Sequence, residues 1–432
     1  MRIHILGIAG NMTTPLALEL TRLGHQISGS DQDQIYPPIS TILLKSKIPV
    51  NKVIDYQKID LFIIGSSFKS FTKCQEEFAL ITKNHYPYIS ATEYLSQLLD
   101  KKINILVAGS YGKSTITSLL IWIFKYAKLN PSYMVGASFI NHLPSLTTST
   151  GDYSIIEADE SINGLDTQAK FHYYPLTHLL LTSADWEHKE SYPSQSSNKQ
   201  SFIKLINRLP KNGILVYNPN SPSATEISKN YSQALPYNFN FSFNSCLVGK
   251  HNQENVMAAT TMAIALGIKP KIIQSALNHY RGIKRRLEIK KIINNIIFID
   301  DFAQSKDRIA SALEAIHYQY PTHQIKVFFE PHASFLQNKN SIIGFNQAFK
   351  NASQITISKI KFSPSVSIDQ RTTFQDYHLE LGKKITYLPD YQQIIDYYQN
   401  NLKPQDILVH FSSGGKKGLD TLNRIISTFT KI

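Results

Sequence analysis

Between Val107 and Thr115 the chain reads Val-Ala-Gly-Ser-Tyr-Gly-Lys-Ser-Thr, and the apolar run Ile103 to Val107 leads into it. These residue types at this spacing make a phosphate cradle. Gly109, Ser110 and Gly112 form a turn whose backbone N–H groups can approach anionic oxygens. Lys113 brings a point charge, the Ser114 hydroxyl can reach a hard cation, and the helix opening through Thr115 directs its positive end at the anion. The spacing is GxxGK[ST], shorter than the usual GxxxxGK[ST], and a plain strand, turn and helix is the competing reading.

A second glycine turn lies at the start of the chain. Ile3 to Leu6 predicts a strand, Gly7 to Gly10 a turn, Met12 to Leu23 a helix, and Gln26 to Ser28 a second strand closing at Gly29, Ser30 and Asp31. Asp31 stands about 20 residues beyond the turn, where an acid can bind a ribose hydroxyl. A nucleotide-bearing substrate fits this opening, and a capping acid after the strand is the alternative. Further polar groups follow predicted strands: Glu157 in Ile-Ile-Glu-Ala-Asp-Glu, then Asp185, Glu187 and His188 after a run of leucines. Gly-Lys-His-Asn-Gln-Glu-Asn opens a helix running to Leu266. Gly-Ile-Lys-Arg-Arg-Leu-Glu follows at 282–288, and Asp-Asp-Phe-Ala at 300–303.

The elements that must position these residues alternate strand and helix throughout. Strands are predicted near 153–158, 178–182 and 214–216 after the phosphate loop. Others are predicted near 296–299, 326–329, 354–357 and 407–410, interleaved with helices over 306–317 and 419–429. The fold class is α/β. Three domains are expected, over 1–100, 101–283 and 284–432, since 432 residues exceed what one core usually organises.

Composition removes several function classes. With 42% hydrophobic and 18% charged residues, and no apolar run near the ~20 residues a bilayer requires, a soluble globular protein without an export signal is expected. Cys74 and Cys246 lack metal-ligand spacing, which points to a reducing cytoplasm. The net charge of +13 is scattered rather than clustered, so neither nucleic acid nor membrane is expected as a partner; small polyanions are compatible with it.

Taken in order, these segments resemble the Mur ligase family, ATP-dependent amide ligases of peptidoglycan synthesis, over essentially the whole chain. The resemblance implies a Rossmann-like N-terminal domain for a UDP-sugar, a central P-loop ATPase domain and a Rossmann-like C-terminal domain for the acceptor. Gly-Ile-Ala-Gly-Asn-Met, Gly-Ser-Asp, Tyr-Pro-Pro-Ile-Ser at 36–40, Phe-Phe-Glu-Pro-His at 328–332 and Ser-Ser-Gly-Gly-Lys-Lys-Gly at 412–418 look most like the members that attach a recycled tripeptide to UDP-N-acetylmuramate. The L-alanine-adding members are the alternative. An acyl phosphate on the lactyl carboxylate is the implied intermediate.

Residue by residue, the resemblance implies ATP contacts from Gly109, Ser110, Gly112, Lys113, Ser114, Thr115, His251, Asn252, Asn255, Asp300 and Asp301, with Arg285 reaching the phosphates across the domain boundary. It implies Mg²⁺ on Ser114, Glu157 and His188, and catalysis by Lys113, Glu157, His188 and Arg285. The UDP-sugar falls to Gly7, Ile8, Gly10, Asp31 and Tyr36, and the peptide to His332, Ser334, Gly414 and Gly415. Capping by Asn252, a solvated basic linker at Arg285 and Arg286, and a helix-initiating turn at Gly414 and Gly415 are the plain alternatives. The chain departs from the family pattern at Tyr111, Ser183, Glu187, Gln304, Ser305 and Lys306, where histidine, asparagine, aspartate and His-His-Pro are usual. A degenerate, nucleotide-binding homologue without turnover is therefore a third reading.

Overall fold

A computed structural model describes residues 1–33, 35, 39–52, 55–186, 191–237, 242–332, 334–360, 367–414 and 416–430. It contains three sheets. The first comprises β1 (Arg2–Leu6), β2 (Gln26–Ser30), β3 (Leu61–Ile64) and β4 (Tyr88–Ser90), all parallel in the order β2-β1-β3-β4. The second comprises β5 (Ile103–Ala108), β6 (Ser132–Met134), β7 (Leu146–Thr147), β8 (Tyr153–Glu157), β9 (His178–Leu181), β10 (Leu215–Tyr217) and β11 (Ala234–Pro236). Its order is β11-β10-β9-β5-β8-β6-β7, and only β6 and β7 run antiparallel.

The third sheet comprises β12 (Glu288–Ile293), β13 (Ile296–Asp301), β14 (Gln324–Glu330), β15 (Gln354–Ile357), β16 (Ile385–Tyr387) and β17 (Asp406–Ser412). The order is β12-β13-β17-β14-β15-β16, with β12 the antiparallel edge. The chain divides into two compact units, Met1–Cys246 with Glu254–Gly282, and Leu247–Gln253 with Ile283–Ile432. The first unit holds the first two sheets, and the second unit holds the third.

Central parallel strands are covered on both faces, which is why they read as unbroken apolar runs. Ile105, Leu106, Val107 and Ala108 are fully buried in β5, as are Leu179, Leu180 and Leu181 in β9. The helix Lys113–Tyr126 packs Ile116, Leu119, Leu120, Ile123 and Phe124 inward, each burial stabilising by about 1.5–3 kcal/mol. That anchors the phosphate loop at both ends. Among the described residues no helix is long and apolar enough to cross a membrane.

Candidate active site

The loop leaves β5 at its carboxyl end, the end where open α/β sheets bind ligands. Gly109 has φ +125°, and a Cβ there would lie 2.2 Å from Thr182 Oγ1 and 2.7 Å from Ser183 N, so only glycine lets the loop pass the end of β9. Gly112, at φ +78°, starts the helix in the left-handed region. A Cβ on it would meet Asn255 Oδ1 at 2.5 Å, so the Asn255 carboxamide lies against the loop. The Ser110 amide donates to Ser183 Oγ at 3.1 Å and its hydroxyl to the Asp185 carbonyl at 2.8 Å, while Thr115 is partly buried in the first helical turn.

Two short pairs define the chemistry of this loop. Lys113 Nζ donates to the Gly109 carbonyl at 2.6 Å and pairs with Glu160 Oε2 at 2.7 Å, with Lys113 14% and Glu160 2% exposed. Ser114 Oγ donates to Glu157 Oε1 at 2.7 Å, and the Gly136 amide donates to Glu157 Oε2 at 2.7 Å. Burial pushes the Glu157 carboxyl above its usual range, and the bonds from Gly136 and Ser114 counter this only in part. Its negative charge is thus under-compensated by the protein, which suits an added cation.

A hard divalent cation needs only one or two protein oxygens when substrate phosphates and water complete its shell. The Ser114 hydroxyl and Glu157 carboxylate, already 2.7 Å apart, fit Mg²⁺ on that count. Among the described residues no group of three or more His, Cys, Asp or Glu side chains gathers for a metal. Glu187 and His188 lie outside the described residues.

The first turn is closed on itself. Gly7 has φ +71°, its carbonyl accepts from Thr13 Oγ1 at 2.5 Å and from the Gly10 amide at 3.3 Å, and Ile8 is fully buried beneath. Asp31 is 2% exposed; its Oδ2 accepts from the Ala9 amide at 2.8 Å and its Oδ1 from the Gln32 amide at 2.9 Å. The acid therefore caps the turn. Tyr36 lies outside the described residues. The Asn252 side-chain Nδ2 donates to the Val248 carbonyl at 2.8 Å, which is not the accepting role of a helix cap, and His251 Nδ1 meets Ser311 Oγ at 3.3 Å, with burial lowering its pKa.

In the second unit, residues singled out from distant segments come together at the strand ends. Arg285 donates to the Gly414 carbonyl at 3.0 Å and to the Ser412 carbonyl, and its Nε stands 3.2 Å from Asp300 Oδ2. That last contact is an ion contact without hydrogen-bond alignment. Asp301 accepts from the Leu287 and Ala303 amides, both at 2.7 Å, and burial raises its pKa. The two adjacent acids thus serve different neighbours. Gln304 Oε1 accepts the His332 amide at 3.0 Å, and a Cβ on Gly414 would strike His332 Nδ1 at 1.9 Å, so this glycine makes room for the imidazole. Gly415 and the Ser334 side chain lie outside the described residues.

Glu160, Gly136, Glu330 and His410 make close contacts here that their residue types and spacing alone do not announce, although Glu160 and Glu330 stand in segments that carry the family resemblance. Glu160 lies three residues past Glu157, and His410 interrupts the apolar run Ile407 to Phe411. A polar residue inside a buried strand was the available signal.

The Mur ligase middle domain matches residues 107–245, and the Mur ligase family catalytic domain matches residues 2–103. A UDP-N-acetylmuramate–L-alanine ligase of Endomicrobium trichonymphae is 26% identical over 400 residues, covering 86% of this chain and 87% of the relative. The UDP-N-acetylmuramate–L-alanyl-γ-D-glutamyl-meso-2,6-diaminoheptandioate ligase of Escherichia coli K12 is 29% identical over 349 residues, covering 73% of this chain and 75% of the relative. The crystal structure of the UDP-N-acetylmuramate–alanine ligase of Thermotoga maritima superposes with a TM-score of 0.80 at 19% identity, covering 100% of this chain and 99% of that one. Matched over more than half its length by these two domain models, the chain belongs to the Mur ligase family of ATP-dependent amide ligases.

Proposed function

We propose that this chain activates the lactyl carboxylate of UDP-N-acetylmuramate with ATP and joins it to L-alanyl-γ-D-glutamyl-meso-diaminopimelate, in cytoplasmic peptidoglycan recycling. The observation that carries the chemistry is the pairing of Lys113 with Glu160 and of Ser114 with Glu157 around one glycine loop.

Phosphoryl transfer depends on positioning and charge neutralisation more than on covalent help from the protein. The loop amides and Lys113 hold the β- and γ-phosphates. Ser114 and Glu157, with His188 on the strength of the family resemblance, would hold Mg²⁺, which would supply charge neutralisation at the phosphate oxygens. The carboxylate oxygen attacks the γ-phosphorus as the bond to ADP breaks, giving an acyl phosphate. The acceptor amine then adds to the acyl carbon, loses a proton, and expels inorganic phosphate to leave the amide. Gly7, Ile8, Gly10, Asp31 and Tyr36 are assigned to the UDP-sugar, with Asp31 exchanging a backbone amide for a ribose hydroxyl. Asn255, which faces the loop, is assigned to the nucleotide together with His251, Asn252 and Asp301. Arg285 takes a phosphate role only by giving up the Ser412 and Gly414 carbonyls it now serves.

For the acceptor, support comes from Phe-Phe-Glu-Pro at 328–331 and Ser-Ser-Gly-Gly at 412–415, and from the similarity to the Escherichia coli ligase. His332, Ser334, Gly414 and Gly415 are assigned to the peptide. The similarity to the Endomicrobium trichonymphae ligase, over 86% of this chain, supports L-alanine as the second reading. Purified protein is given UDP-N-acetylmuramate, ATP and Mg²⁺ with either the tripeptide or L-alanine, and ADP is measured. Release with the tripeptide alone is expected. Release with L-alanine alone transfers the assignment, and nucleotide binding without ADP from either acceptor refutes turnover.

A further inference from the structure

The scheme above leaves unused two groups buried in the third sheet, His410 and Glu330, which meet Asp300 there. His410 in β17 is fully buried, and so are Asp300 at the end of β13 and Glu330 at the end of β14. Its Nδ1 stands 2.8 Å from Asp300 Oδ1 and its Nε2 2.8 Å from Glu330 Oε2, while the ring stacks on Phe328 at 4.6 Å. The Tyr391 hydroxyl donates to Glu330 Oε1 at 2.8 Å, and His332 Nε2 lies 3.8 Å from that same oxygen. On the far side, Arg285 touches Asp300 and holds the Ser412 and Gly414 carbonyls. Among the described residues these are the titratable and charged groups around the ring. Gly418 presses on the same carboxylate, since a Cβ there would fall 1.6 Å from Glu330 Oε2.

Each 2.8 Å contact between ring and carboxylate needs a proton, and a neutral imidazole owns only one. With both protons on the ring, Arg285 and His410 balance Asp300 and Glu330 charge for charge. Such a buried set gains little over apolar packing in stability, because desolvation offsets the attraction. What it does provide is geometry. It ties three parallel strands together at their carboxyl ends, and its outermost member grips the turn from Ser412 to Gly414.

We infer that His410 is a positioning residue: by bridging Asp300 and Glu330 it fixes Arg285 and the Ser412–Gly414 turn, and with them the residues assigned to the acceptor. The acceptor part of this inference rests on the ligase reading above; the bridge does not. Burial alone would lower the His410 pKa, but its bonds to Asp300 and Glu330 raise it overall. Burial likewise opposes Glu330, which His410 nevertheless holds down at about 2.

The full-length chain labelled with ¹⁵N-histidine, with His410→Gln for assignment, tests the bridge directly. Both ring nitrogens are expected to carry protons at neutral pH, and the Gly414 amide, which donates to Ser412 Oγ at 2.9 Å, to exchange about tenfold faster in the variant. A ring with one proton, or unchanged exchange, overturns the inference. Both readouts hold whether or not the chain turns over. With the acceptor that the wild type uses, measured well below the melting temperature of the variant, kcat should fall about 10²-fold, the loss expected from a misplaced constellation, with KM for UDP-N-acetylmuramate unchanged. Wild-type kcat with only a lower melting temperature makes His410 structural and overturns the positioning role. An inactive wild type with a doubly protonated ring refutes the ligase reading and upholds the bridge.

Discussion

Replacing Lys113 by methionine separates its ion pair with Glu160 from the phosphate contact proposed for it. Its ammonium is 2.7 Å from Glu160, whose carboxylate is only 2% exposed. Removing one partner of a buried pair costs about 3–5 kcal/mol, and the 14% exposure of Lys113 places this pair near 3 kcal/mol because water can reach the vacated end. For a unit of this size that corresponds to a fall in melting temperature of roughly 6–12 °C. Adding Glu160→Gln removes the stranded charge, so the double variant should recover most of the loss. Turnover should behave differently. Without the lysine on the phosphates, ADP release should fall about 10²–10³-fold in the single and double variants alike, since the lost donor acts on the transition state in both.

Melting of wild type, Lys113→Met, Glu160→Gln and the double variant, with ADP release measured on each, closes the cycle. Two results refute the reasoning. If the double variant melts no higher than Lys113→Met, the pair is not coupled. If turnover returns along with stability, Lys113 is a structural cation and the loop is not a phosphate cradle.

Two more outcomes follow from the same geometry. Gly109→Ala places a methyl group 2.2 Å from Thr182 Oγ1 and 2.7 Å from the Ser183 backbone at φ +125°, so strain and overpacking together should destabilise by about 2–4 kcal/mol; a melting temperature unchanged from wild type would contradict it. The gap in melting temperature between wild type and His410→Gln should depend on pH. His410 has a raised pKa, so its contribution is complete below the ordinary value of 6.5 and is lost as pH rises through the raised one. Glu330 is depressed, so its contribution is complete above 4.5 and fades as pH falls toward about 2. The gap should therefore be widest between these limits, and a flat profile would show that neither titration is linked to folding.

Local features of the fold could be read directly, and long-range ones could not. Apolar runs locate β5, β9 and β15 to within a residue, because burial on both faces writes itself into consecutive side chains. The strands of the third sheet run further than their apolar cores suggest. β13 reaches Asp301, β14 reaches Glu330 and β17 reaches Ser412, because Asp300 and Glu330 are held by His410 at sequence distances of 110 and 80 residues. Charge ends a strand in a periodicity argument; a buried partner lets it continue. The same limit hid Glu160, which sits 47 residues from Lys113. Asp31 was legible as a special acid, but its present partners are backbone amides, which a sequence does not distinguish from a ribose hydroxyl.

What these positions share is that the protein already answers most of their charge or polarity. Lys113 has Glu160, Glu157 has Ser114 and the Gly136 amide, Asp31 has the Ala9 and Gln32 amides, and Asp300 has His410. A bare buried charge would cost several kcal/mol, and pairing within the protein offsets that cost. Binding then becomes an exchange of partners, and the affinity for a ligand reflects the difference between two sets of contacts. Glu157 is the exception, since its internal partners leave it above the usual carboxylate range. Of these groups it has the most to gain from a cation, which is why metal rather than nucleotide should govern its ionisation.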